Sequence, residues 1–84
     1  MTNYTFTLLN QEELVNHLVL GSRLYNIEYF VSNDIHGDLS RGRIEVVVNE
    51  NGTFPNKEQL NENVNTVIRN EFIVNIKEYV KGLE

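Results

Sequence analysis

Apolar residues recur at Leu60, Val64, Val67, Ile68, Phe72, Ile76, Tyr79, Val80 and Leu83. Steps of three and four keep them on one side of a 3.6-residue spiral, so Asn56 to Leu83 reads as one long amphipathic helix. Such a stripe must be covered. In a chain of 84 residues without cysteine, neither a disulfide framework nor a thiolate metal site can substitute for a core, and the β-rich middle of the sequence is the available surface.

That middle alternates with a period of two. Tyr25, Ile27, Tyr29 and Val31 fall on one face of a strand beginning near Arg23, with Leu24, Asn26, Glu28 and Phe30 on the other. Arg43 to Asn49 repeats the pattern through Ile44, Val46 and Val48. Upstream, Tyr4, Phe6 and Leu8 alternate with Thr5, Thr7 and Leu9, which predicts a strand over Asn3 to Leu9. Asn10 followed by Glu13 forms a capping-box pattern, so a short helix is expected over Gln11 to Leu20. Its inward face would be Leu14, Val15, Leu18 and Val19, with His17 at the boundary and Gly21 as a left-handed stop.

Between Ser32 and Gly42 the Gly, Asn, Asp and Ser content predicts a loop too long for a simple hairpin. Asn51-Gly52 turns the chain, and Pro55 forbids a further central strand, so the chain is expected to leave the sheet there. Asn56 is the predicted helix cap, with Gln59 in the capping-box position. These segments predict one α+β domain over residues 1–84 in the order β-α-β-β-α. A three-stranded, mainly antiparallel sheet would pack against the long C-terminal helix and the short first helix.

Thirteen Asn stand beside only two Asp and three Lys, and the net charge is −5. Seven basic residues scattered among twelve acidic ones provide no counterion-displacing stripe, so direct nucleic-acid binding is not expected. No apolar run reaches transmembrane length and no leader pattern opens the chain, so a cytoplasmic protein without membrane contact is expected. The Asn-, Ile- and Tyr-rich composition suits an AT-rich bacterial or phage genome.

The most chemically suggestive stretch is Ser32-Asn33-Asp34-Ile35-His36-Gly37-Asp38-Leu39. Preceded by Tyr29-Phe30-Val31, it resembles the first motif of the calcineurin-like metallophosphoesterases, in which Asp-x-His at a strand end holds metal, and Asp34 and His36 match. The resemblance implies a metal-dependent hydrolase, but it stops at Leu39. No Asp or His follows Asp38, so the family's downstream ligands have no counterparts here. A single-metal loop of Asp34, His36 and Asp38 is the reduced form of that idea. A polar turn satisfied by backbone hydrogen bonds explains the same residues. His17 has no neighbouring nucleophile or second His, and no Gly-rich phosphate loop occurs.

No catalytic residue, cofactor or metal site is therefore assigned. The reading that follows is a non-enzymatic, small acidic protein-binding module, such as an accessory or inhibitor protein of a phage or mobile element. The alternatives are a minimal hydrolase on the Asp34/His36/Asp38 loop and a self-assembling structural phage component. A protein partner or a second copy would meet the surplus apolar residues Ile73 and Val74, which lie off the helical stripe. Glu62 and Glu71 belong to a dispersed acidic set that could imitate nucleic-acid charge. Arg41 and Arg43 offer an anion contact, or alternatively cross-strand pairs with Glu45 and Glu28.

Overall fold

A computed structural model describes residues 1–15 and 18–84. The chain runs β1 (Thr2–Glu13), β2 (Arg23–Asn33), β3 (Gly37–Asn49), β4 (Gly52–Pro55), α1 (Lys57–Asn63) and α2 (Arg69–Leu83). The fold is α+β with an antiparallel sheet and two helices, but the order is β-β-β-β-α-α. The four strands lie in chain order, β1-β2-β3-β4.

Both helices cover one face of the sheet. Tyr25, Ile27, Tyr29 and Val31 of β2 and Ile44, Val46 and Val48 of β3 are buried there against Leu60, Val64, Phe72, Ile76 and Val80, as the two periodicities require. Tyr4, Phe6 and Leu8 of β1 pack at the margin of the same core. Phe72 sits among aromatic rings, with centroids 4.9 Å from Tyr29, 5.6 Å from Phe6 and 6.3 Å from Tyr4. Such offset and edge contacts add to simple area burial.

The expected first helix is overturned in its described part. Gln11, Glu12 and Glu13 continue β1 and lie opposite Tyr25, Leu24 and Arg23. A register shift between Leu8 and Asn10 places Leu9 as the extra residue of a bulge, which turns Asn10 toward Asn26. Asn10 thus makes a cross-strand bond, accepting from Asn26 Nδ2 at 2.7 Å, in place of capping a helix. Val15 and Leu18, expected on an inward face, are exposed, while Leu14 and Val19 are half-buried. Gly21 does take a positive φ of 79°, but within the loop that leads into β2. His17 lies outside the described residues.

The expected long loop is a tight hairpin. Asn33 Oδ1 accepts from the backbone N–H of Ile35 at 2.8 Å and of His36 at 3.1 Å, which folds the turn onto one side chain. Gly37, with φ 75°, then opens β3. At the next turn the chain does not leave the sheet. Gly52–Pro55 forms an edge strand paired with Val46–Asn49. Asn56 N–H donates to Glu45 C=O at 2.9 Å, so the backbone of Pro55, one residue earlier, faces away from β3 and its missing N–H costs no ladder bond.

The single long helix is two. Asn56 caps α1 by accepting from Gln59 N–H at 3.0 Å. The Gln59 side chain does not return to Asn56. Instead its Oε1 accepts from Glu45 N–H at 2.7 Å, tying α1 to β3. The helix ends at Val64, whose backbone is extended, and Asn65 Oδ1 accepts from Val67 N–H at 3.0 Å. Asn competes with the helix for backbone donors in this way, which explains the break within an Asn-rich run. Leu60 and Val64 stay buried, while Val67 is thrown out to solvent. Ile68 N–H bonds to Asn65 C=O and Phe72 N–H to Ile68 C=O, restarting the helix.

Candidate functional site

Among the described residues, the outer face of the sheet and the free edge of β1 lie without intramolecular cover. The register builds the first in rows running across the strands: Thr5, Phe30 and Arg41, then Thr7, Glu28 and Arg43, then Asn10, Asn26 and Glu45. A last row holds Glu12, Leu24, Val47 and Phe54. Arg41 lies over the Phe30 ring at 5.6 Å. Arg43 and Glu28 are register partners but do not close an ion pair. Among the described residues the one salt bridge joins the Met1 amino group to Asp34 at 3.6 Å.

The backbone direction at each edge follows from two side-chain bonds. Tyr79 Oη accepts from Leu8 N–H at 3.0 Å, so Leu8 presents its backbone away from β2. Alternation then turns Thr2, Tyr4 and Phe6 outward as well, while Asn3, Thr5 and Thr7 bond to β2. On β3, Glu45 points outward to Gln59 and Asn56, and Arg43 and Arg41 share that direction. The two edges are built differently. The β3 edge carries two arginines and is covered further along by α1 and β4, which discourages another strand. The β1 edge has no Asp, Glu, Lys, Arg or His and no proline from Thr2 to Gln11. Its one occupied outward donor is that of Leu8.

The helix layer adds one charge near this edge. Burial, and then the Glu71 carboxylate, raise the Tyr4 hydroxyl above its ordinary value. Glu71 therefore stands on the flank of α2 that borders β1.

The residues singled out in the sequence do not converge. Arg41 and Arg43 are on the outer sheet face, opposite the helices. Ile73 is half-buried against the core, whereas Val74 is exposed on the far side of α2. Glu62 is exposed on α1 and Glu71 on α2, separated by the break at Val64–Ile68. Other exposed acids spread over both layers, among them Glu12 and Glu28 on the sheet, Glu58 on α1 and Glu78 on α2. Asp34, His36 and Asp38 are exposed around the β2–β3 hairpin, where Asp34 takes the Met1 amino group and accepts from Asn3 Nδ2 at 3.3 Å. Among the described residues no three His, Cys, Asp or Glu gather as a metal-binding group. No described helix is long and apolar enough to cross a membrane.

The edge of β1 escaped the sequence reading because strand order is not local information. Its signal was nevertheless present, as ten successive residues without charge in a chain of net charge −5. Comparison with protein-family models, with curated proteins and with solved structures gives no match for this chain.

Proposed function

We propose that this protein is a small, acidic, non-catalytic binding module that acts by protein–protein contact, and that it captures an extended segment of its partner along β1. The observation that carries the reading is the uncharged edge from Thr2 to Phe6, whose N–H and C=O groups at Thr2, Tyr4 and Phe6 face outward. A strand added there would gain main-chain hydrogen bonds. Selectivity would come from the alternating flanks, Tyr4 and Phe6 on the helix side and Asn3, Thr5 and Thr7 on the other. The net negative charge favours a partner with a basic surface around that segment and speeds its approach.

The test is a tagged pull-down from host lysate at about 0.1 M and about 0.5 M salt, comparing the native protein with Thr7→Glu. Thr7 is exposed on the outer face, so the substitution charges the edge without entering the core. A partner held by the native protein at both salt concentrations and lost with Thr7→Glu supports strand capture. Equal capture by both proteins places the binding surface elsewhere.

A further inference from the structure

The same edge admits a second occupant besides a foreign strand, an inference that rests on the reading of β1 as the binding edge. We infer that β1 pairs with β1 of a second copy, antiparallel about a two-fold axis at Tyr4, joining two sheets into one. The register follows from which groups are free. Thr2, Tyr4 and Phe6 point outward, and the Leu8 donor is already held by Tyr79. The only symmetric ladder that uses all three pairs Tyr4 with its own copy and Thr2 with Phe6 of the partner strand.

Charge selects a second copy over other arrangements of the same molecule. Two chains of net charge −5 repel wherever acids meet, and acids occupy the outer sheet face and both helices. The segment Thr2 to Gln11 is neutral. In the two-fold ladder Asn3 faces Thr5 of the other copy on the outer side, and Tyr4 and Phe6 face Tyr4 and Thr2 on the helix side, with no charge opposed to its like. A long β-rich edge with neither lysine nor proline is also what sheet proteins ordinarily avoid unless another strand covers it. One repulsion remains. Glu71 borders Tyr4, so the two Glu71 carboxylates approach each other across the axis. The dimer consequently tightens with salt, whereas charge-driven capture of a basic partner weakens.

The experiment combines sedimentation with amide hydrogen exchange on the full chain. Between about 5 and about 500 µM, native protein converts from monomer to dimer, and added salt shifts the conversion to lower concentration. Over the same range the Tyr4 and Phe6 amides become protected, while Leu8, bonded to Tyr79, and Thr5 and Thr7, bonded to β2, are protected throughout. Thr5→Lys and Thr5→Glu each weaken the dimer by about ten-fold or more. Either sign places like charges diagonally across the axis, at a spacing of roughly 7–8 Å. Glu71→Gln strengthens it.

The exchange measurement needs no variant, so a substitution that fails to fold does not rescue the proposal. A dimer in which the Tyr4 and Phe6 amides stay unprotected overturns it. So does a monomer at every concentration, which leaves the edge free for a foreign strand and the lysate capture intact.

Discussion

Tyr29 and Gly42 face each other across β2 and β3, and the ring of Tyr29 lies over the space a side chain at 42 would occupy. A Cβ built on Gly42 meets Tyr29 Oη at 3.0 Å, Cζ at 3.2 Å and Cε2 at 3.4 Å. Relieving a mid-strand glycine gains about 0.5–1 kcal/mol, but forcing this contact costs about 1–3 kcal/mol, so Gly42→Ala loses up to about 2.5 kcal/mol. Against the roughly 4–13 kcal/mol expected for a chain of this length, that is readily measured. Tyr29→Phe removes the atom nearest the new methyl. It also removes a buried hydroxyl that has no hydrogen-bond partner among the described residues, so alone it is neutral or stabilising by up to about 1 kcal/mol. In that background Gly42→Ala should lose at least about 0.5 kcal/mol less. Urea unfolding of the four proteins completes the cycle, and with a slope near 1 kcal/mol/M the single alanine lowers the midpoint by up to about 2.5 M. Equal losses in the two backgrounds would refute ring contact as the cause.

Three further outcomes follow from the same geometry. The Tyr4 hydroxyl has its pKa raised from 10.0 on folding, so the folded state favours its neutral form; that stability is present below pH 10 and is lost as pH rises from there through the raised value. The alkaline fall in urea midpoint should be smaller in Tyr4→Phe, and Glu71→Gln should move its onset. Tyr79→Phe removes the acceptor for Leu8 N–H; it should cost about 0.5–1.5 kcal/mol and turn the Leu8 amide from slow to fast exchange in dilute protein. Asp34→Asn breaks an exposed pair with the Met1 amino group, so its unfolding free energy should stay within about 0.5 kcal/mol of native; a divalent metal that raises the melting temperature of native protein but not of Asp34→Asn would instead favour the hydrolase alternative.

Much of the core was legible because burial writes its period into the sequence. Tyr25 to Val31 and Ile44 to Val48 alternate cleanly, and Leu60, Val64, Phe72, Ile76 and Val80 occupy the predicted helical stripe. The errors have two causes, local signals overruled by distant partners and turns closed by asparagine side chains. Asn10 and Glu13 have the spacing of a capping box, yet the paired segment Arg23–Asn26 draws both into a strand. Asn33 and Asn65 each fold a short turn onto their own side chain, which converted an expected long loop into a hairpin and an expected long helix into two. The candidate site was less legible than the core. Ile73, off the stripe in the sequence, reaches the core from the flank of α2. The neutrality of Thr2 to Gln11 gains meaning only once β1 is known to lie at an edge.

The chain-ordered sheet also bears on synthesis. All four strands have emerged by Pro55, and each pairs with its predecessor, so the sheet can assemble as it leaves the ribosome. Its apolar face cannot be covered until Phe72, Ile76 and Val80 follow. At roughly 5–20 residues per second, Tyr29 and Val46 and their neighbours face solvent for about 1–5 s before α2 arrives. During that interval the nascent chain presents a bare hydrophobic sheet, an exposure that a shielding chaperone would reduce and slow translation downstream of Pro55 would prolong.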